Sequence, residues 1–265
     1  MNSIVYVGMD VHKESYTLAC YDFETDSTKY VQKMPADYKM VLKYLDNIRR
    51  KYDRKVEIVC GYEAGCLGYS LYNELSSHEV NCIIIAPSTI TYQDEKRIKT
   101  DRRDAGSIAR AMGLGSFRDV YVPDEKDIEV KEYIRMKNDH KQALKSLKQQ
   151  ILALILRNGC NYDGKSYWTI KHRKWMKELE LSELTREALD EYLLTLATLE
   201  EKIARMDQRI EELASEERYR ENVKKLVCFI GIKTHAALSL ICETSDFYRF
   251  SKAGNYASFL GVEPS

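Results

Sequence analysis

The order of short strands and helices in residues 1–122 is the feature that most restricts the fold of this chain. Apolar or alternating segments predict three successive strands, and later strands alternate with amphipathic segments that predict helices. The predicted order is βββαβαβα, which indicates an α/β domain. The predicted strands are 4–8, 15–21, 28–32, 56–60 and 81–86, and the predicted helices are 36–52, 67–75 and 101–112.

This order is similar to that of the RuvC-like RNase H fold, in which acids from the first strand, a central strand and a late helix meet at one sheet edge. Asp10 follows the first strand, Glu63 follows the fourth, and Asp101 and Asp104 begin the last helix. Mg²⁺ prefers oxygen ligands, and two such ions about 3.5–4 Å apart can clamp the oxygens of a phosphoryl transfer. We therefore expect these four acids to be both catalytic residues and ligands of Mg²⁺ or Mn²⁺.

Each acid also has a plainer interpretation when it is taken alone. Asp10 follows a strand, as many turn residues do, and Glu63 precedes Ala-Gly, as a solvated loop residue would. Asp101 fits a helix N-cap, and Asp104 would be favoured by the helix dipole. The metal site depends on the occurrence of all four acids in this fold order.

The charges are balanced overall but are unevenly distributed. Lys+Arg and Asp+Glu number 41 each, whereas residues 96–110 carry six basic and two acidic side chains and residues 131–157 carry seven and two. Residues 178–217 carry four basic and thirteen acidic side chains. Because Lys and Arg neutralise phosphates, the basic segments indicate nucleic-acid contacts. The expected contacts are Lys96, Arg97, Lys99, Arg102, Arg103, Lys137, Lys141, Lys145, Lys148, Lys171, Arg173 and Lys174.

The lysine stripe at 137–148 has a second interpretation, as a solvated helix face that pairs with the acidic segment 178–217. Trp168 and Trp175 lie near basic residues and could stack on unpaired bases, although such residues more often pack in a core. His12, two residues after Asp10, could polarise a phosphate or serve a structural role.

Long helices dominate the chain after residue 123. Residues 128–157 and 182–217 both show apolar steps of three and four, and the second segment keeps an a/d heptad throughout, which predicts a coiled coil. Residues 223–230 and 234–242 predict two short helices with Thr234 as an N-cap. Around the turn 231–233 they resemble a weak helix-hairpin-helix or a plain helical hairpin. We expect domains at 1–122, 123–218 and 219–265.

The seven cysteines form no CxxC pair, and their apolar contexts favour reduced thiols in a cytoplasmic protein. The N-terminus shows no signal peptide and no segment reads as a membrane span, so we expect no membrane partner.

Three segments together resemble the DEDD transposases of bacterial and archaeal insertion sequences, a family that includes pilin-gene invertases and bridge-RNA-guided serine recombinases. Segments 229–232, 250–253 and 259–264 also look like the C-terminal part of that family. The three segments that carry the resemblance are Gly8-Met9-Asp10-Val11-His12-Lys13, Tyr62-Glu63-Ala64-Gly65 and Lys99-Thr100-Asp101-Arg102-Arg103-Asp104-Ala105.

The resemblance implies an RNase H domain, a coiled-coil insert and the start of a C-terminal transposase domain. It implies Mg²⁺-dependent DNA strand cleavage and exchange, a structured guide RNA as partner, and dimers or tetramers assembled through coiled-coil helices. A DNA-bound form would be associated with the nucleoid. In the family a nucleophilic serine follows the Gly-x-x-Pro segment in a Ser-Gly context, whereas this sequence ends at Ser265. We therefore expect a truncated form that lacks the nucleophile and binds RNA and DNA without completing recombination.

Other functions remain open at this point. A junction nuclease of the RuvC type would use the same acids with water, and a non-catalytic scaffold would bind RNA or DNA and dimerise through residues 182–217. A kinase of the actin-like superfamily also begins with Gly-x-Asp, but its small-residue phosphate loop is absent after Asp10.

Overall fold

A computed structural model describes residues 3–23, 26–52, 56–87 and 101–262, with backbone only at positions 3 and 101–103. Residues 1–122 and 123–265 form two compact units. The expected contacts Lys96, Arg97 and Lys99 lie outside the described residues, as does Ser265. The division of the second unit at 218/219 stays a prediction.

The first unit contains a mixed five-stranded sheet with the order β3-β2-β1-β4-β5. The first three strands form an antiparallel meander, and β4 and β5 join it in parallel on the far side of β1. This is an α/β arrangement consistent with an RNase H-like core. The strands are β1 (Ser3–Val11), β2 (Ser15–Asp22), β3 (Ser27–Pro35), β4 (Val56–Glu63) and β5 (Asn81–Ile85).

Helices cover this sheet because its central strands are apolar on both faces. Val7 and Met9 of β1 are buried in one core cluster together with Leu45 of the first helix. Val59 of β4 is buried in a second cluster with Ile108 and Met112 of the third helix. The helices among the described residues of this unit are α1 (Tyr38–Arg50), α2 (Ser70–Ser77) and α3 (Asp101–Gly113).

The second unit is helical in its described residues. Two 33-residue helices, α4 and α6, pack against each other, and Leu147, Ile151, Leu189 and Leu196 are buried between them. No helix in the described ranges is both long and apolar enough to span a membrane. The helices are α4 (Glu125–Arg157), α5 (Ile170–Glu178), α6 (Glu183–Ser215), α7 (Glu217–Leu226), α8 (Thr234–Thr244), a 3₁₀ turn (Phe247–Arg249) and α9 (Ala253–Phe259).

Asp127 connects the beginning of α4 to α7 and α8. Its carboxylate is buried and accepts hydrogen bonds from Arg218 Nε at 3.0 Å, the Tyr219 hydroxyl at 2.9 Å and Ser245 Oγ at 2.6 Å. Burial raises the pKa of Asp127, but the hydrogen bonds from these three donors outweigh burial and hold the pKa below its ordinary value. Ser245 has φ 58, so a non-glycine residue is held in the left-handed region beside this carboxylate.

Two local predictions for this unit are wrong. The helix expected at 223–230 instead spans Glu217–Leu226, which places Glu217 in its first turn and Lys224 and Lys225 in its last, as the helix dipole favours. The helix ends at Leu226 with Val227 as its C-cap, and Gly231, with φ 90, lies in the turn that follows. Thr234 is not the N-cap of α8. Lys233 holds that position with extended backbone and makes no side-chain cap.

Candidate active site

Asp10 and Glu63 lie next to each other at one edge of the sheet. The parallel pairing of β1 with β4 includes Gly8 opposite Gly61 and Met9 opposite Tyr62, so Asp10 and Glu63 occupy the following positions of the two strands. Successive residues of a strand face opposite sides of the sheet, so residues two apart share a side. Asp10 is therefore on the same side of the sheet as Gly8, and Glu63 is on the same side as Gly61. The two carboxylates share one face of the sheet.

Helix α3 packs on that same face of the sheet. A Cβ on Gly8 would meet the backbone of Ala105 and Ala109, and a Cβ on Gly113 would meet the Tyr21 ring. Tyr21 is paired with Tyr6 of β1, which lies before Gly8 in the strand. Because Ala105 lies against Gly8, the beginning of α3 is close to the part of β1 that leads into Asp10.

Asp101 and Asp104 lie in the N-terminal turn of α3. The buried stripe of α3 contains Ala105, Ile108 and Met112. Asp104 precedes Ile108 by four residues, so it continues the stripe that faces the sheet, and Asp101 is the first residue of the helix. The Asp104 side chain is half-buried, whereas only the backbone is described at Asp101.

His12 contacts the acid that ends the first strand. Its Nε2 lies 3.0 Å from Oδ2 of Asp10, and the side chains are 56% and 15% exposed, respectively. The His12 backbone N–H donates to the Ser15 carbonyl at 3.0 Å, which fixes the turn between β1 and β2. A turn anchored in this way holds the imidazole beside the carboxylate.

The described side chains do not by themselves form a closed metal cage. In the described part of the chain, no group of three or more His, Cys, Asp or Glu side chains is arranged to hold a metal ion. Asp10, Glu63 and Asp104 provide hard oxygen donors, and the position of the Asp101 carboxylate lies outside the description. Mg²⁺ does not require a complete protein cage, because it is usually bound by one or two carboxylates together with water and substrate phosphates. The donor set therefore fits this ion.

Four of the basic residues expected to contact nucleic acid form ion pairs within the chain. Lys137 is buried and lies 2.6 Å from Asp207. Glu200 pairs with Lys148 at 3.2 Å and with Arg173 at 2.8 Å, and Lys174 pairs with Glu178. Burial raises the pKa of Glu200, but hydrogen bonds from Arg173 and Lys148 outweigh it and lower the pKa overall. These pairs agree with the interpretation that the stripe faces the acidic helix.

Three other lysines that were expected to contact nucleic acid are exposed at the surface. Lys141, Lys145 and Lys171 are exposed and form no ion pair with any described residue. Arg102 and Arg103 lie in the first turn of α3, next to the acids, with only their backbone described. The described surface lysines are therefore fewer than the sequence pattern alone indicates.

Two glycines, which the pattern of acids alone does not reveal, allow the site to form. A Cβ on Gly8 would overlap the backbone of α3, and a Cβ on Gly61 would lie 2.5 Å from Met112 Sδ. Both glycines stand two positions before an acid, in Gly8-Met9-Asp10 and Gly61-Tyr62-Glu63. This repeated Gly-x-acid pattern is the signal that could have identified the helix contact.

Comparison with known proteins gives consistent results. A family model described as a transposase, of the DEDD type, matches residues 7–158, which include all four acids. The chain is 36% identical over 252 residues to the transposase for insertion sequence element IS1533 of Leptospira borgpetersenii, over 93% of this chain and 71% of that protein. It is 28% identical over 264 residues to y4qE, named as a candidate transposase, of Sinorhizobium fredii, over 98% of this chain and 63% of that protein.

Proposed function

This chain belongs to the DEDD transposase family of insertion sequences, and we propose that it is a metal-dependent DNA recombinase whose metal ligands are Asp10, Glu63, Asp101 and Asp104. The observation that carries the proposal is the position of two acids on neighbouring strands. Asp10 and Glu63 are side by side on the face of the sheet against which the beginning of α3 packs. No single acid would support this role, since each has a common structural alternative.

The chemistry expected at this edge is cleavage of a phosphodiester. A divalent ion bound by such carboxylates supplies Lewis-acid polarisation of a phosphoryl oxygen. Asp10 and Glu63 are positioned by β1 and β4, which pair in parallel inside the sheet. His12 orients the Asp10 carboxylate through the 3.0 Å contact. The N-terminal turn of α3 adds a partial positive charge beside the acids and the phosphate.

Strand exchange requires more than this edge, and we propose the additional parts on the family resemblance. They are a serine nucleophile of the C-terminal domain and a structured RNA that pairs with the DNA. The exposed lysines at 141, 145 and 171 support contact with a polyanion.

We also propose that α4 and α6 form a coiled-coil insert through which copies of the chain assemble. The a/d residues Leu189, Leu196 and Ile210 are already buried within the chain. Leu184 and Leu194 of α6 are 77% and 62% exposed, and they supply apolar surface outside that core. Self-association that disappears when both leucines are changed to Gln, measured by light scattering, would support this arrangement.

Strand cleavage tests the metal proposal. In a form of the protein that includes the C-terminal serine, Asp10→Asn and Glu63→Gln are each expected to abolish Mg²⁺-dependent nicking of DNA. Glu57→Gln is the matched control, because Glu57 is an exposed acid at the opposite end of the same strand as Glu63. Nicking by Asp10→Asn at the rate of the unmodified protein would refute the proposal.

The nature of the product distinguishes the recombinase from a junction nuclease. In the form of the protein that includes the C-terminal serine, a recombinase is expected to give a covalent DNA–protein adduct, detected by its retarded migration under denaturing conditions. Free DNA ends without an adduct would instead favour a RuvC-type nuclease that uses water and the same four acids.

A further inference from the structure

A groove of about 390 Å³ runs along one face of α4 in the second unit. Its floor is apolar, and includes Leu144 and Leu152 of α4 and Ile203 of α6, while the ring of Trp168 forms a wall. All four side chains are only partly buried, so apolar surface remains uncovered. The α4 residues recur at spacings of three and four, which places them on a single helix face about 16 Å long.

Positive charge lines the rim of this groove. Lys141, Lys145 and Lys148 lie on the same face of α4 as the apolar floor. Lys148 pairs with Glu200 and its Nζ lies 5.3 Å from the centre of the Trp168 ring. Lys141 and Lys145 are exposed and have no ion-pair partner among the described residues. The rim therefore offers two uncommitted ammonium groups one helical turn apart.

The backbone at Trp168 is strained and is held in place by its neighbours. Trp168 has φ 66, a region that bulky residues rarely adopt. Its N–H donates to Nδ1 of His172 at 3.1 Å, and its carbonyl accepts from Arg173 Nε at 3.2 Å. His172 is fully buried and Arg173 is anchored to Glu200, so both partners are fixed. Strain of this kind persists where the surroundings determine the conformation, and it is concentrated at functional sites.

We propose that this groove binds an unpaired nucleotide of a structured RNA, with the base against the Trp168 ring and the phosphates at Lys141 and Lys145. The inference rests on the proposed function only in taking RNA as a partner. An apolar groove with one aromatic wall accommodates any base, and adjacent lysines follow the backbone, which is the usual chemistry of single-strand binding.

RNA matches the groove better than DNA does. A structured RNA exposes unpaired bases in loops and bulges, whereas duplex DNA exposes none without melting. Gln149, which also lines the groove, carries an amide that can hydrogen-bond a 2′-hydroxyl. A DNA strand lacks that group.

The two tryptophans of the chain provide a direct test. Trp175 stacks with His172 at 5.6 Å and does not line the groove. In the Trp175→Phe variant, Trp168 is therefore the sole tryptophan, and excitation at a wavelength that tyrosine does not absorb reports on it alone. A short oligouridylate, titrated without divalent metal, is expected to quench this fluorescence. The Trp168→Phe variant reports through Trp175 and is expected to show no quenching and about tenfold weaker binding, as measured by fluorescence anisotropy of labelled RNA.

The lysines provide an independent test that leaves the aromatic core intact. The double variant Lys141→Gln/Lys145→Gln is expected to weaken RNA binding and to reduce the slope of log affinity against log salt by about 1.4, since each phosphate contact contributes about 0.7. Lys177→Gln removes an exposed lysine of α5 outside the groove and is expected to leave the slope unchanged.

Three results would overturn the proposal. The first is the absence of quenching in Trp175→Phe together with an unchanged salt slope in the double lysine variant. The second is equal affinity for oligodeoxyuridylate, which would refute the assignment to RNA. The third is a concentration-dependent fluorescence change without RNA, which would assign the groove to a second copy of the chain. None of these results depends on the acids of the first unit. The DNA nicking assays therefore test the proposed function independently of RNA binding in the groove.

Discussion

Ala105 of α3 packs directly on Gly8 of β1, so closely that a Cβ on the glycine would overlap the Ala105 carbonyl oxygen. The same Cβ would lie 2.4 Å from Ala109 N. Both obstacles are backbone atoms, which cannot rotate away as a side chain could. This contact sets the distance between the helix that carries Asp104 and the strand that carries Asp10.

We predict that Gly8→Ala destabilises the first unit and impairs its site. Overpacking costs about 1–3 kcal/mol in a close-packed core, and α3 must move away from β1 to accommodate the methyl group. Urea unfolding should show the lower free energy of unfolding of Gly8→Ala, and this variant should also bind divalent metal more weakly. Gly65→Ala is the control, because a Cβ there meets only the Glu63 carbonyl oxygen at 3.9 Å. Equal stability of the two variants would contradict the close contact.

Asp127→Asn should destabilise the second unit in a pH-dependent manner. In the folded protein the Asp127 carboxyl has a pKa below its ordinary value of 3.8. Its contribution to the free energy of unfolding is therefore complete above pH 3.8 and is lost as the pH falls through the folded pKa. Hydrogen bonds to a charged group are worth about 1.5–3 kcal/mol, and we expect a loss in that range at pH 7.

Urea unfolding at a series of pH values measures this effect. The difference in unfolding free energy between Asp127→Asn and the unmodified protein should narrow as the pH falls below 3.8. Asp139→Asn changes an exposed acid of the same helix and should stay within about 0.5 kcal/mol of the unmodified protein at all pH values. A difference that is constant with pH would show that the Asp127 charge is not responsible.

The Lys137–Asp207 pair should respond unequally to changes in its two members. Lys137 is 3% exposed as a residue, whereas the Asp207 side chain is 52% exposed. Asp207→Asn leaves a buried ammonium without its counter-charge and should cost about 1–3 kcal/mol. Lys137→Met leaves a solvated carboxylate and should cost less than about 1 kcal/mol. Thermal unfolding of both variants tests the ranking, and a larger loss in Lys137→Met would reverse it.

Much of the sheet could be predicted from the sequence because its central strands are short apolar runs. The predicted strands at 4–8 and 56–60 correspond to β1 and β4, and the structure extends both as far as the acids. The close packing of α3 on Gly8 was not predicted, because a glycine in an apolar run gives no periodic signal. Whether a glycine is needed at this position depends on the helix that packs against the strand.

The lysine stripe shows a second limit of sequence patterns. Helical periodicity places Lys137, Lys141, Lys145 and Lys148 on neighbouring positions, but it does not identify the element that they face. Packing of α6 against α4 buries Lys137 and pairs Lys148, while Lys141 and Lys145 remain exposed. Similarly, the apolar residues Phe229 and Ile230 suggested a helix, yet they are 64% and 106% exposed beyond the end of α7.

Metal binding tests most directly whether the edge formed by β1, β4 and α3 is a divalent-cation site. Titration of Mn²⁺, followed by electron paramagnetic resonance, should show binding to the unmodified protein and to the Glu57→Gln control. Asp10→Asn, Glu63→Gln and Asp104→Asn should each weaken that binding by about tenfold or more, since changes even to residues that only support metal ligands cost this much. Mn²⁺ binding that is equally tight in all of these variants would contradict the assignment of the acids as metal ligands.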